Sequence, residues 1–247
     1  MMDLKLNIFP SEQEVLTGIA KYFIETANQA IVAQGFFNVS LSGGTSPKKL
    51  YQLLTTPEYR QQLDWTKVYF FFGDERNVPQ DSPDSNFLMA KTALFDPLNI
   101  QADHIFAVDT TVLPESAAID YAEQIDNHFK NQEVQFDLIL LGLGDNSHTA
   151  SLFPHTDVLA IKEATVKEVF LEDQQVYRIT KTAKMINQAH HIAFLLYGAG
   201  KAEAVKHVLE DSKNIEEYPA QLIQTENGDL QWFMDDAAAS LLTEKKL

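Results

Sequence analysis

The chain has 247 residues, 45% of them hydrophobic, which is enough for one large α/β domain and short for two, so a single domain over 1–247 is expected. Its formal net charge of −16 argues against nucleic-acid or anionic-membrane binding, because both need a basic surface field, and leaves any anionic substrate to a few locally placed cations. Cysteine is absent, which excludes disulfides, thiolate catalysis and Cys-ligated zinc; with no signal-peptide core and no apolar run of roughly 18 residues, a soluble cytoplasmic protein is expected.

Patterned elements alternate along the chain. Ser11 to Ala33 reads as an amphipathic helix with Ser11 as its N-cap, and Phe36 to Leu41 as a strand. Ser46 to Leu54 is a helix with proline in its first turn, Val68 to Phe72 a strongly apolar strand, Ser85 to Leu94 helical, and Ile105 to Val108 a short strand. Helix Ser116 to Lys130 leads into strand Phe136 to Leu141; strand His191 to Tyr197 precedes helix Lys201 to Leu209. Strands separated by helical patterns imply right-handed βαβ units, hence a Rossmann-like, mainly parallel sheet flanked by helices. Residues 155–184 contain β-prone pieces, Val166 to Leu171 and Val176 to Thr180, readable either as a small antiparallel addition or as a lid.

Chemistry in such sheets gathers at the carboxyl ends of strands, and four segments lie there. In SLSGGTSP, Gly43 and Gly44 permit close backbone approach while Ser42, Thr45 and Ser46 add hydroxyls beside a helix N-terminus; the segment suits a phosphate and equally a capped tight turn, and it lacks Walker spacing. In GDERNVPQDSPDSN, Asp74, Glu75 and Arg76 emerge together, either as a site for an anion or as a solvated turn in which Arg76 pairs with Asp74, Glu75 or Asp81. After the apolar run ending at Leu141 come Gly142, Gly144 and His148; this histidine is the strong general-base candidate, since imidazole titrates near neutrality. Lys201, after Gly198-Ala199-Gly200, could reach an anion from a first helical turn, where an unpaired cation opposes the helix dipole; Arg178 is a further candidate contact. His155, His190 and His191 match no compact metal-ligand spacing and read as structural, and there is neither a full G-x-G-x-x-G nor a G-x-S-x-G elbow.

Taken together, SLSGGTSPKKLY, FFFGDERNVPQDSPDSNF, LILLGLGDNSHTASLFP and GAGKAEAV resemble, in order and over most of the chain, the 6-phosphogluconolactonase family, related to the glucosamine-6-phosphate isomerase/deaminases; the closing YPAQLI and LQWFMDDAAAS resemble it too. The resemblance implies hydrolysis of 6-phospho-D-glucono-1,5-lactone to 6-phosphogluconate in the pentose phosphate pathway, on a Rossmann-like fold without metal or organic cofactor. It implies that His148 is the base that activates water, that Ser42, Gly43, Gly44 and Thr45 cradle substrate, and that Arg76, Lys201 and Arg178 hold phosphate. In the isomerase/deaminase relatives an aspartate at position 74 would abstract a proton from C2, and a glutamate follows the histidine by five positions; here that position is Phe153, which favours the lactonase. A phosphosugar-binding regulator without chemistry is the other alternative, disfavoured by the intact histidine and by the absence of a DNA-binding motif.

Two positions depart from the family pattern. Its Asp-Gly before the histidine is Asn146-Ser147 here, so a neutral amide would orient the imidazole and Asp145 is left as the adjacent acid. Serine in place of glycine implies either that φ is negative at position 147, or that a left-handed residue costs on the order of 1 kcal/mol.

Overall fold

The computed structural model describes residues 3–130, 132–226 and 228–244. Strand β1 (Asp3–Phe9) leads to helix α1 (Glu12–Gln34), β2 (Phe37–Leu41), α2 (Thr45–Leu54) and the single turn α3 (Pro57–Arg60). Then come β3 (Val68–Phe72), β4 (Asp74–Arg76), α4 (Asn86–Ala90), a π-helical turn at Lys91–Phe95, α5 (Asp96–Leu98) and β5 (Ile105–Phe106). The second half supplies α6 (Pro114–His128), β6 (Leu138–Leu141), β7 (Val166–Leu171), β8 (Val176–Lys181), α7 (Ala183–Asn187), β9 (His191–Leu195), α8 (Ala202–Leu209) and β10 (Asp229–Asp235).

Seven strands form one sheet in the order β1-β10-β9-β6-β2-β3-β5, with every pair parallel. The apolar runs follow from burial on both faces. In β6, Leu138 and Leu140 pack into the layer that holds Val15, Ile19 and Phe23 of α1, while Ile139 and Leu141 pack into the layer that holds Ala117, Tyr121 and Ile125 of α6. The helix starts follow the caps: Ser11 accepts from the Glu14 amide, and Ser85 accepts from Leu88.

Three strands, β1, β10 and β4, were absent from the sequence reading, while the small antiparallel addition at 155–184 was one of its two alternatives and is present. The edge strand β1 and its neighbour β10 extend the sheet beyond β9, and β4 pairs antiparallel with β8, which pairs antiparallel with β7. Residues 155–184 therefore contribute two strands of a three-stranded antiparallel sheet. The helix expected at Ser85 to Leu94 stops being α-helical at Ala90 and continues through the π-turn, and the strand expected from Phe136 begins at Leu138.

From β2 the chain builds outward through β3 to β5 on one side; β6 continues on the other through β9 and β10. The crevice beyond the carboxyl ends of β2 and β6 is thus the topological switch point. Two buried tyrosines secure neighbouring strand ends there. Tyr51 of α2 accepts from the Ser42 amide at 3.0 Å and donates to the Ser42 carbonyl at 2.8 Å, and Tyr121 of α6 does the same at Phe72, at 2.8 and 3.2 Å. Burial raises both phenol pKa values, so both remain protonated donors.

A fully buried lysine completes the floor. Lys181, at the end of β8, donates from Nζ to Ser40 Oγ at 2.9 Å and to the Phe72 carbonyl at 2.5 Å, with the Phe136 ring centroid 4.6 Å away. Burial pushes its pKa well below the ordinary lysine value, with Asp74 pulling the other way.

Tyr51→Phe and Tyr121→Phe should each leave a buried backbone amide without its acceptor and cost about 1–3 kcal/mol of stability. Urea unfolding at constant m-value measures this. A loss below about 0.5 kcal/mol in both variants would show that the strand ends find other partners.

Candidate active site

The loops leaving β2, β3, β6 and β9 enclose a cavity of about 340 Å³ at the switch point. Its wall contains Ser42, Gly43, Gly44, Asp74, Arg76, His148, Arg178 and Lys201, so these eight residues singled out in the sequence come together. Thr45 begins α2 and faces an adjoining cavity beside Lys48 and Arg76. Asn146 faces a larger groove of about 540 Å³ on the other side. That groove is lined by Asp157, Glu168, Glu172 and Asp173, a set that repels anions; the cations lie in the smaller cavity.

Tight backbone approach explains two glycines. A Cβ on Gly43 would lie 2.0 Å from Asn86 Oδ1, and one on Gly144 would lie 2.0 Å from His148 Nδ1. Asn86 in turn donates to the Asp74 carbonyl at 2.9 Å, tying the start of α4 to β4. No side chain caps the N-terminus of α2 at Gly44, which leaves its first amides for an anion or a developing oxyanion.

The acid pair Asp74-Glu75 divides its work. Asp74 lines the cavity and accepts from Ser151 Oγ at 2.6 Å. Glu75 is 2% exposed and accepts from the amides of Arg76, Asn86 and Phe87 at 2.7–2.8 Å and from Ser85 Oγ, so it anchors the start of α4 and is no part of the cavity wall. Burial raises its pKa and the three amides pull it back. Alternation along β4 puts the two acids on opposite faces.

The antiparallel sheet gives the arginines their geometry. Arg76 of β4 and Arg178 of β8 are directly opposite in the register, so two like charges face one cavity. Arg76 Nη1 donates to the Asp84 carbonyl at 2.6 Å and Arg178 Nη2 to Gln174 Oε1 at 2.9 Å, and both Nε atoms are buried without a partner. Neither arginine forms an ion pair among the described residues, contrary to the solvated-turn reading for Arg76. Burial, and next the facing Arg76, lower the Arg178 pKa, yet a guanidinium stays charged. Such an arrangement is costly without an anion and suits a dianion.

His148 is carried on a tight turn. The Gly144 amide donates to the His148 carbonyl at 2.8 Å and the Ser147 amide to the Gly144 carbonyl at 2.9 Å. Ser147 has φ 61°, so of the two alternatives for this substitution the left-handed, strained one holds. Its hydrogen bonds fix it: Ser147 is buried and its carbonyl accepts from Ala220 at 2.9 Å. The imidazole stacks on Phe153 with centroids 4.0 Å apart, and Nδ1 contacts Asn146 Oδ1. With that oxygen as acceptor, Nδ1 carries the proton and Nε2 keeps its lone pair. Burial pushes the His148 pKa down to about 4; Asp74 opposes this while Lys201 and Arg178 reinforce it.

Lys201 pairs with Asp145, Nζ to Oδ1 at 2.6 Å, so the helix-dipole penalty expected for an unpaired cation is relieved within the chain. Asn86, Ser151 and Gln174 also line the wall and went unnoticed in sequence as site residues, because none bears a charge or a motif spacing that marks it; Phe153, noted in sequence for the acid it replaces, lines it too. Among the described residues no group of three or more His, Cys, Asp or Glu is arranged to hold a metal, and no helix is long and apolar enough to cross a membrane.

Residues 10–232 match the family of glucosamine-6-phosphate isomerases/6-phosphogluconolactonases. A 6-phosphogluconolactonase of Nostoc sp. is 37% identical over 98% of this chain and 100% of its own length. The chain belongs to this glucosamine-6-phosphate isomerase/6-phosphogluconolactonase family. Another family member, the 6-phosphogluconolactonase of Haemophilus influenzae, is 34% identical over 95% of this chain and 98% of its own. The solved 6-phosphogluconolactonase of Trypanosoma cruzi superimposes with a TM-score of 0.84 at 27% identity, covering 99% of both chains.

The imidazole environment generates a pH prediction. An NMR titration of His148 should give a pKa near 4, well under the ordinary 6.5, and Asn146→Asp should raise it, because a nearby anion favours the protonated ring. A wild-type value at or above 6.5 would contradict the burial argument. A pKa that does not move in the variant would show that position 146 is not electrostatically coupled to the ring.

Proposed function

We propose that the protein hydrolyses 6-phospho-D-glucono-1,5-lactone to 6-phosphogluconate, the lactonase step of the pentose phosphate pathway, with His148 as general base. The observation that carries this reading is an imidazole oriented by Asn146 that shares one small cavity with two arginines which, among the described residues, form no ion pair with a carboxylate. The full-length match to 6-phosphogluconolactonases supports the same reaction class, hydrolysis of a lactone.

In this mechanism Arg76, Arg178 and Lys201 hold the phosphate, and the lactone C1 lies near Nε2 of His148 in the same cavity wall. Binding energy at the phosphate thus positions a remote carbonyl. His148 takes a proton from water as the oxygen attacks C1. Amides of the Gly43–Gly44 loop, at the uncapped start of α2, stabilise the oxyanion. The imidazolium then donates its proton to the departing ring oxygen, and no covalent intermediate forms. Asp74, held by Ser151, is the buried carboxylate in the cavity that balances the imidazolium as it forms.

Isomerisation with deamination of an amino-sugar phosphate would use Asp74 as base and an acid after the histidine. Phe153 fills that place and stacks on the ring, so no second acid supports that chemistry. Turnover of freshly prepared phospholactone, with none of glucosamine 6-phosphate, is the expected result; the reverse would replace the proposal by the isomerase reading, and turnover of neither would leave a binding protein.

His148→Ala should lower kcat by roughly 10² to 10⁴, after subtraction of spontaneous hydrolysis, with phosphosugar affinity nearly intact. Arg76→Ala, Arg178→Ala and Lys201→Ala should instead raise KM and erode the preference for phosphorylated over plain gluconolactone. Steady-state kinetics with both lactones separates the two patterns. A histidine variant within a few-fold of wild type, or arginine variants with unchanged preference, would remove those residues from these roles.

A further inference from the structure

The three cations of the cavity are held in two different ways. Arg76 and Arg178 rest on a carbonyl and an amide oxygen, with no carboxylate in ion-pair contact among the described residues. Lys201 alone is matched by an acid, the Oδ1 of Asp145 at 2.6 Å from Nζ. The partners differ in exposure: the lysine side chain is 30% exposed, the aspartate 81%. Lys201 is therefore mostly covered at the cavity wall, while Asp145 leaves most of its surface in water. Asp145 also sits one residue before Asn146, on the turn that carries His148.

A carboxylate in this place lies where an incoming anion would bind the same ammonium. It is covalently tethered, so its effective concentration at Lys201 is high and constant. Its hold is weak, because an exposed ion pair gains little in water and orders two flexible side chains. A phosphate dianion gripped also by two guanidinium groups outcompetes it; a ligand that relies on the lysine alone does not.

We propose that Asp145 is a displaceable internal counter-anion, which occupies Lys201 in the empty site, yields to the phosphate of the substrate, and returns to help release the product. The inference rests on the assignment of Lys201 to the phosphate made above. Its consequence is a site tuned to weaker phosphate binding: every anion that needs Lys201, whether substrate, product or inorganic phosphate, is disfavoured by one common factor. Neutral gluconolactone is untouched. Since product release limits many well-evolved enzymes, weakening product and substrate together is a direct way to sustain turnover.

The test is Asp145→Asn, which keeps size and polarity and removes the charge. For the phosphorylated lactone KM should fall roughly twofold to fivefold, the scale of an exposed ion pair. The inhibition constant of inorganic phosphate should fall by the same factor, and KM for unphosphorylated gluconolactone should stay as in wild type. In a Lys201→Met background the same substitution should have no effect, because the competing pair is already gone. A KM that rises in Asp145→Asn would mean that the aspartate positions the lysine and would overturn the proposal. An unchanged KM would also overturn it, as would a fall that persists without Lys201, which would reflect only the general negative field. If Lys201→Met itself leaves the phosphate preference intact, the lysine assignment fails and this inference with it. If that preference is lost while Asp145→Asn changes nothing, the lysine assignment stands and only the counter-anion is refuted.

Discussion

The site depends on what happens to backbone polar groups where β2 and β3 end. Inside the sheet each amide and carbonyl has a neighbouring strand, but at the last residues of a parallel strand the ladder runs out while the chain is still buried. Tyr51 answers this at Ser42 and Tyr121 at Phe72, each with a single hydroxyl that both accepts and donates. The two tyrosines come from helices on opposite faces of the sheet. Each therefore locks a helix to a strand end as well as satisfying it, and the loops that follow leave from fixed points.

Lys181 extends the same solution to the small antiparallel sheet. Its backbone amide donates to the Gly73 carbonyl at 2.9 Å and its Nζ joins Ser40 and Phe72, so the ends of β2, β3 and β8 are tied together beneath the cavity. A buried amine is expensive, and its desolvation is offset here by two hydrogen bonds and an aromatic wall. β4 starts one residue after this junction. The register that faces Arg76 with Arg178 is thus set by the same contacts that close the floor.

Electrostatics in the molecule work locally against the global charge. A chain of net charge −16 concentrates three cations in one cavity, while a neighbouring groove collects carboxylates. The histidine responds to both influences. Burial and the cations keep it neutral, and the Asn146 amide orients it without adding charge, so Asp74 is the buried carboxylate that opposes them. Packing on Gly144 and Phe153 fixes the ring plane, which places steric demand on a turn already strained at Ser147.

The sequence by itself determined the parallel sheet, most helix limits and the loops that carry the site. Strands buried on both faces read as unbroken apolar runs, as in Val68 to Phe72, and capped helices announce their starts, as at Ser11 and Ser85. It also placed His148, Arg76 and Lys201 at strand ends, and the ordered motifs pointed to the family. Tertiary structure alone decided the rest. β4 is three residues long in a polar stretch and has no periodicity of its own; only pairing with β8 makes it a strand and turns Arg76 toward Arg178 while Glu75 turns away. β1 is a half-exposed edge strand, and β10 joins the sheet beside it from the far end of the chain, a pairing between distant segments that no local pattern encodes. The burial of Lys181 and the pairing of Lys201 with Asp145 join residues far apart in the chain, and a side chain's charge says nothing of the distant partner that folding brings to it.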